Sequence, residues 1–347
     1  MQSGGTDSSK TRKPDSSIKK LRMFGLGLFR SSHNISPWIT FLGLIFAGLL
    51  PLFVGAGNQN ALSQYVIYLI WITLAESWNL IGGYAGLINL GIGAFFSIGC
   101  VISSILLNLG VSIVPVMLIA GAVGAILALA LTPTFRLRSD YFAIGTLVVP
   151  FLLKPLVEFI AKKSNFDVPI GIVLNPTLFY YTGLGMCGIT IFGILFLMRS
   201  RVGMALRGIG DDEYASSALG VNVLLFKTIT LVVSGFIASV AGAYYLGVIG
   251  AVNTTIFDNL SFSLFPAFMV IIGGIGTFEG PILGAILFSG VSYGAVVYFQ
   301  GTSFEVLVFS VMIMFVAVVL PKGIVPTLRR SINKRKNQRV TPESKSD

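Results

Sequence analysis

The chain has 347 residues, of which 54% are hydrophobic and only 11% charged, with a net charge of +10. Ordinary soluble domains carry about 25% charged residues, so this is the composition of a membrane protein. Apolar runs too long for RNA- or DNA-binding modules exclude nucleic acid as the partner of the basic excess, which lies at the two ends and in short loops; it reads as orientation signals and contacts for anionic lipid headgroups.

Residues 1–36 form a tail in which Lys10, Arg12, Lys13, Lys19, Lys20, Arg22 and Arg30 outnumber Asp7 and Asp15, and the sequence predicts a disordered cytoplasmic segment. The apolar run at 37–54 exceeds the core of a typical secretory signal and is followed by more such runs, which predicts an uncleaved first span. At about 17–25 residues per crossing, further spans are predicted near 62–81, 89–107, 112–133, 141–161, 177–198, 223–248, 262–275, 280–299 and 304–320. The expected fold is therefore all-α: a polytopic membrane domain over 37–320 with about ten transmembrane helices, then a second basic tail over 321–347.

Charge placement orients these spans. Arg136 and Arg138, then Arg199, Arg201 and Arg207, then Lys322, Arg329, Arg330, Lys334, Arg335 and Lys336 fall on one side. The opposite loops are nearly free of Lys and Arg, with Lys162 and Lys163 before Asp167 as the exception. An even number of spans then puts both termini in the cytoplasm of a cell-membrane protein.

Two glycine-rich stretches interrupt the apolar pattern, LIGGYAGLINLGIGAFFSIG at 80–99 and VIIGGIGTFEGPILG at 270–284. In lipid, such a backbone is tolerated only where other helices or a water-lined cavity satisfy it, so both predict broken or re-entrant segments beside a central pathway. Their spacings Gly82 to Gly86 and Gly280 to Gly284 also permit close helix packing, which is the structural alternative. The pathway candidates are Glu76, Asn79, Tyr84, Gly86, Asn89, Gly91, Phe95, Gly273, Gly274 and Gly276. Glu76 stands out because an ionisable side chain within a span is costly against lipid; it either faces the pathway, pairs between helices or snorkels to the nearer end.

Between the runs 177–198 and 223–248 lies RSRVGMALRGIGDDEYASSALGVN, residues 199–222, too polar for the membrane. Asp211 is expected to cap a helix whose first turn adds Asp212 and Glu213, with Ala215 to Leu219 propagating it and Gly220 ending it. Such a short water-facing helix between spans offers a surface to a soluble partner, with Ala215 and Leu219 sharing one face.

Other chemistry finds little support. Cys100 and Cys187 lie inside apolar runs and read as packing residues, and the lone His33 precedes the first span. Gly183 to Gly188 fits GxGxxG, but within an apolar helix and with no preceding strand; Gly290 to Gly294 fits the nucleophile elbow without a usable histidine base. The acids Asp211, Asp212 and Glu213 point in different directions on a helix and make a poor metal site. No GxxxxGK[ST] occurs, so a Walker loop for ATP must belong to another subunit.

The polar segment resembles the cytoplasmic coupling motif of branched-chain amino acid ABC permeases of the LivM type, through Gly203, Ala205, Arg207, Ile209, Asp212, Glu213, Ala215, Leu219 and Gly220. Further matches to that family are Asn79, Gly83 to Gly86, Leu90, Gly91, Ala94 to Phe96 and Gly99; Arg138, Asp140 to Ile144, Thr146 and Leu147; and Gly273, Gly274, Gly276, Gly280, Pro281, Gly284 and Ala285, before Pro321 and Gly323. Gly210 stands where the family usually has arginine, Ile92 where many relatives have histidine, and Glu76 and Trp78 where leucines are usual, while 167–171 keeps part of a glycine-rich outer loop.

The resemblance implies an ATP-driven importer. Partner ATPase subunits would consume ATP and Mg, this chain binding no cofactor or metal, and would contact Arg207, Asp211, Asp212, Glu213, Ala215, Leu219 and Gly220. It also implies a second related permease, giving a heterodimer, and an extracytoplasmic solute-binding protein. Leucine, isoleucine and valine are the expected cargo, with other neutral amino acids and urea-like amides open. The alternatives are an ion-coupled carrier of small polar solutes, for which few intramembrane carboxylates exist, and a membrane enzyme, for which no catalytic constellation exists.

Overall fold

Every described residue outside the turns and loops is helical, with no strand among them. A computed structural model describes residues 59–137, 139–161, 176–250, 254–299 and 323–330, with 43, 47, 48, 310, 311 and 314. All belong to one unit, Leu42–Asp347; the other, Met1–Phe41, lies outside the described residues, as do His33, Lys162, Lys163, residues 167–171, Arg138, Lys322 and most of the first and last predicted spans.

In chain order the helices are α1 (Gln59–Asn79), α2 (Ile92–Asn108), α3 (Ile113–Ala130), α4 (Ser139–Ala161), α5 (Pro176–Arg199), α6 (Arg201–Asp211), α7 (Glu213–Ala218), α8 (Val223–Ile249), α9 (Ser261–Gly273) and α10 (Gly280–Phe299), with a last helix at 324–330. A π-helical turn, Leu80–Tyr84, prolongs α1, and short 3-10 turns cover Thr132–Arg136 and Thr254–Asp258.

Among the described residues, five helices are long and apolar enough to cross a membrane: Leu62–Tyr84, Ile113–Ala130, Tyr141–Phe159, Thr177–Arg199 and Val223–Ile249. The apolar helices Ile92–Asn108, Ser261–Gly273 and Gly280–Gly294 are shorter. Here the expectation of a full crossing at 262–275 is corrected. α9 has 13 residues, about 20 Å at the α-helical rise against a hydrocarbon core of about 30 Å, because the glycine-rich turn after Gly273 ends it.

The centre of the bundle is α8, which packs along α2 and α3 and also meets α1. Between lipid-immersed helices no hydrophobic drive is gained, so small residues and interhelical hydrogen bonds set the contact. Ser239 Oγ donates to the Ala120 carbonyl at 2.7 Å, Ser103 Oγ to Ala243 at 2.9 Å, and Cys100 Sγ to Gly242 at 3.0 Å. Ser77 on α1 and Ser234 on α8 exchange hydroxyl-to-carbonyl bonds of 2.8 and 2.9 Å. Both cysteines are buried free thiols.

The two predicted glycine spacings part ways. Gly280 and Gly284 do face α9, where a Cβ would collide with the carbonyls of Gly274 and Met269. Gly82 and Gly86 do not share a helix face: Gly82 sits in the π turn under the Trp78 ring, and Gly86 lies beyond it in non-helical chain at φ +71°.

Candidate functional site

The first glycine stretch leaves helical geometry just after Asn79, and the side chain of Asn79 explains how the break is held. Its Nδ2 donates to the Thr277 carbonyl at 2.9 Å, and its Oδ1 accepts from the Gly276 amide at 3.0 Å. One carboxamide therefore satisfies two backbone groups of the turn between α9 and α10, which in lipid would otherwise be costly. Gly276 has φ +68° and a Cβ there would lie 3.0 Å from the Gly83 carbonyl, so the two glycine-rich stretches meet backbone to backbone. On the other side of the break, Trp78 Nε1 donates to the Asn89 carbonyl at 2.6 Å, Asn89 Oδ1 accepts from Gly91 N at 2.9 Å, and Leu90 N donates to Thr146 Oγ1 at 3.1 Å.

The polar segment is built as two helices at an angle rather than one. Ser200 caps α6 through Val202 N at 3.2 Å, and the buried period Gly203, Leu206, Ile209 carries that helix on to Asp211. Asp212, at φ −158° and ψ 110°, breaks it and starts α7, accepting from Ala215 N at 2.9 Å. This corrects the expected cap. Asp211 closes the preceding helix, at the end where the dipole disfavours an acid, and partial burial raises its carboxyl above the ordinary value. Gly220 at φ +85° ends α7 in the left-handed conformation, with Val221 N returning to the Ser216 carbonyl at 3.1 Å.

The acids are not equivalent either. Glu213 Oε2 meets Lys227 Nζ at 2.6 Å, and Lys227 is 5% exposed on the first turns of α8. The Glu213 charge is thus paired within the chain on a side chain that stays half exposed. Arg207 donates to the Met198 carbonyl, closing the end of α5. What α7 presents to solvent is mixed: Tyr214 is 89% and Leu219, just past its end, 85% exposed, with Ala215 exposed beside them and Glu213 and Ser217 exposed as well.

Helix α6 ties this surface to the glycine junction. Leu206 joins Leu80, Tyr84, Ala85, Ile194, Met198 and Ile237 in one buried cluster. A Cβ on Gly210 would lie 2.6 Å from the Tyr84 carbonyl, and Gly210 in turn covers Gly86. There is no room here for the arginine that the motif usually carries.

Of the pathway candidates, Asn79, Tyr84, Gly86 and Gly276 gather at this junction, and Asn89 and Gly91 lie in the chain that leaves it. Gly274 packs on Gly323 and Pro326, with Arg329 paired to Glu279 at 2.5 Å close by. Phe95 is buried against Gly235 of α8, and Gly273 is closed by Gly280. Glu76 is 0% exposed, which removes the snorkelling alternative. Sequence reasoning missed Thr277, Ser77, Ser234 and Lys227; a lysine one turn into an apolar run, soon after three acids, was a readable signal for the last. An apolar groove of about 480 Å³ between α3, α5 and α8, lined by Met117, Gly185, Ile189 and Val240, borders the junction cluster through Ile194 and Ile237, which also line it. Its lining suits a hydrocarbon or another helix rather than a polar cargo.

A profile of the family described as branched-chain amino acid transport system, permease component, matches residues 60–317. The chain belongs to this permease family. Similar proteins include the high-affinity branched-chain amino acid transport system permease protein LivM of Salmonella typhimurium, 26% identical over 330 residues, covering 85% of this chain and 76% of that one. LivH, from the same organism and described in the same terms, is 23% identical over 283 residues, 72% of this chain and 89% of that one. The fructose import permease protein FruG of Bifidobacterium longum is 26% identical over 279 residues, 73% and 80% of the two chains. No solved structure matches.

The permease is accordingly of the LivM type, a translocation subunit of an ABC transport system in the plasma membrane and a transport component rather than an enzyme. Family membership sets aside the ion-coupled carrier and the membrane enzyme. It confirms the all-α polytopic class.

Proposed function

We propose that this permease passes branched-chain or related neutral amino acids inward along the glycine junction, powered by separate ABC ATPase subunits that grip α7. Those subunits use ATP and Mg, and this chain binds neither. A second related permease completes the pore as a heterodimer, an extracytoplasmic solute-binding protein delivers the cargo, and both termini lie in the cytoplasm beside anionic lipid.

The observation that supports this most is the packing of α6 on the broken end of α1. A force on α7 reaches α6, whose Gly210 rests against the Tyr84 carbonyl and whose Leu206 shares a buried cluster with Leu80 and Tyr84. Asn79 then links that turn to the other glycine stretch. Close-packed interiors transmit displacement instead of absorbing it.

The test is uptake of labelled leucine into vesicles holding the permeases and ATPases, with loaded binding protein outside and ATP inside. Uptake should need ATP and both ATPases, and should fall in Gly276→Leu, where φ is positive and the Gly83 carbonyl leaves no space, while the ATPases still co-purify. Uptake driven by an ion gradient without ATP would remove the proposal.

A further inference from the structure

Glu76 is fully buried in α1, and neither of its carboxyl oxygens has a hydrogen-bond partner among the described residues. Its neighbours on the helix show that this is particular to Glu76. Thr73 Oγ1 donates to the Leu69 carbonyl at 2.8 Å, Ser77 is paired with Ser234, Trp78 with Asn89, and Asn79 with Gly276 and Thr277.

The titratable groups that act on Glu76 electrostatically, or that it acts on, come from three elements. They are Glu279 in the turn before α10, Tyr84 in the π turn, and Cys187 on α5. None is a cation, and Glu279 is itself an acid held by Arg329. α8 offers Ser234 beside the next residue, Ser77, and its lysine, Lys227, is held by Glu213. With neither counter-ion nor hydrogen bond among the described residues, a carboxyl closed off from water weakens the fold, and an apolar side chain of similar size would not. A group that costs stability and gives no structural return points to a ligand that is bound only part of the time.

We propose that Glu76 is the group that receives a positive charge on the cargo, the α-ammonium of an amino acid. Its place favours this, because α1 loses regular helical geometry one turn later, and the carbonyl end of a broken helix adds negative potential where a cation would sit. The site is sealed in the present arrangement, so the ammonium reaches it only when the helices around α1 part. This proposal rests on the amino acid importer reading and narrows it: a sugar has no such group.

The experiment uses the complete transporter in vesicles, with labelled leucine, loaded binding protein and ATP, comparing Glu76→Gln and Glu76→Leu with the unaltered chain. Turnover should fall about tenfold or more in both variants, the usual worth of a charged hydrogen bond, while the half-saturating concentration of loaded binding protein stays unchanged. Purified Glu76→Leu complex should melt no lower than the unaltered complex, which a merely structural carboxyl would not allow. Turnover in Glu76→Gln equal to the unaltered chain overturns the proposal. So does a turnover that falls when sodium is removed or the pH gradient is collapsed, with that dependence lost in Glu76→Leu, because the cation is then an ion and not the cargo. If the unaltered transporter takes up labelled fructose and no leucine, or nothing with ATP, the importer reading fails and this proposal with it; leucine uptake indifferent to Glu76 defeats this proposal alone.

Discussion

Asp211 and Asp212 are adjacent acids with opposite electrostatic settings. Asp212 accepts the Ala215 amide at the start of α7, whereas Asp211 ends α6 and faces the negative end of its dipole. Removing the cap in Asp212→Ala should cost about 1 kcal/mol of local stability, and Asp212→Asn much less, since asparagine also caps. The sign is reversed at Asp211. Its carboxyl is raised by partial burial, so the folded chain holds that proton more tightly than the unfolded one, and the penalty is present at neutral pH and relieved as pH falls through the raised value. Asp211→Asn should therefore be neutral or slightly stabilising. Hydrogen exchange at the Ala215 amide measures both; faster exchange in Asp211→Asn than in Asp212→Ala would restore the cap to Asp211.

The ion pair between α7 and α8 makes an asymmetric prediction. Lys227 is buried and Glu213 half exposed, so Glu213→Gln strands an ammonium away from water while Lys227→Met leaves a carboxylate that water can solvate. The first should loosen α7 and lower the melting temperature more than the second, and Lys227→Met combined with Glu213→Gln should recover most of the loss. Equal effects of the two single changes would contradict the asymmetry, and a double variant whose loss is the sum of the two would show that the pair carries nothing. This element also marks how far the sequence could be read. The runs 177–198 and 223–248 become α5 and α8 almost residue for residue, because long apolar stretches with caps admit one structure. The sequence pattern of the segment between them predicts one helix, and there are two. Its break at Asp212 comes just after Leu206 and Gly210 dock against the π turn, a contact between residues more than a hundred positions apart that no local pattern contains.

At the scale of the molecule, the glycine motifs were legible as irregular backbone, but their meeting was not. The clamp of Asn79 on Gly276 and Thr277, and the seat of Gly210 on the Tyr84 carbonyl, are tertiary facts. Asn79→Leu should uncouple the stretches by leaving two backbone groups unpaired in lipid, at about 1–3 kcal/mol each, with uptake lost before assembly. The charge pattern adds an orientation: in sealed cells, cysteines placed at Ser9 and Ser344 should resist impermeant thiol reagents, and ready labelling of either would overturn the cytoplasmic placement. The central claim is that α7 receives the ATPase and moves the junction. Its most direct measurement is Ala215→Arg, which puts a bulky charge on the exposed apolar face of Tyr214 and Leu219 without touching a buried contact. The account predicts normal permease abundance, ATPase subunits that co-purify poorly, and loss of ATP-dependent uptake; full uptake with full ATPase association would contradict it.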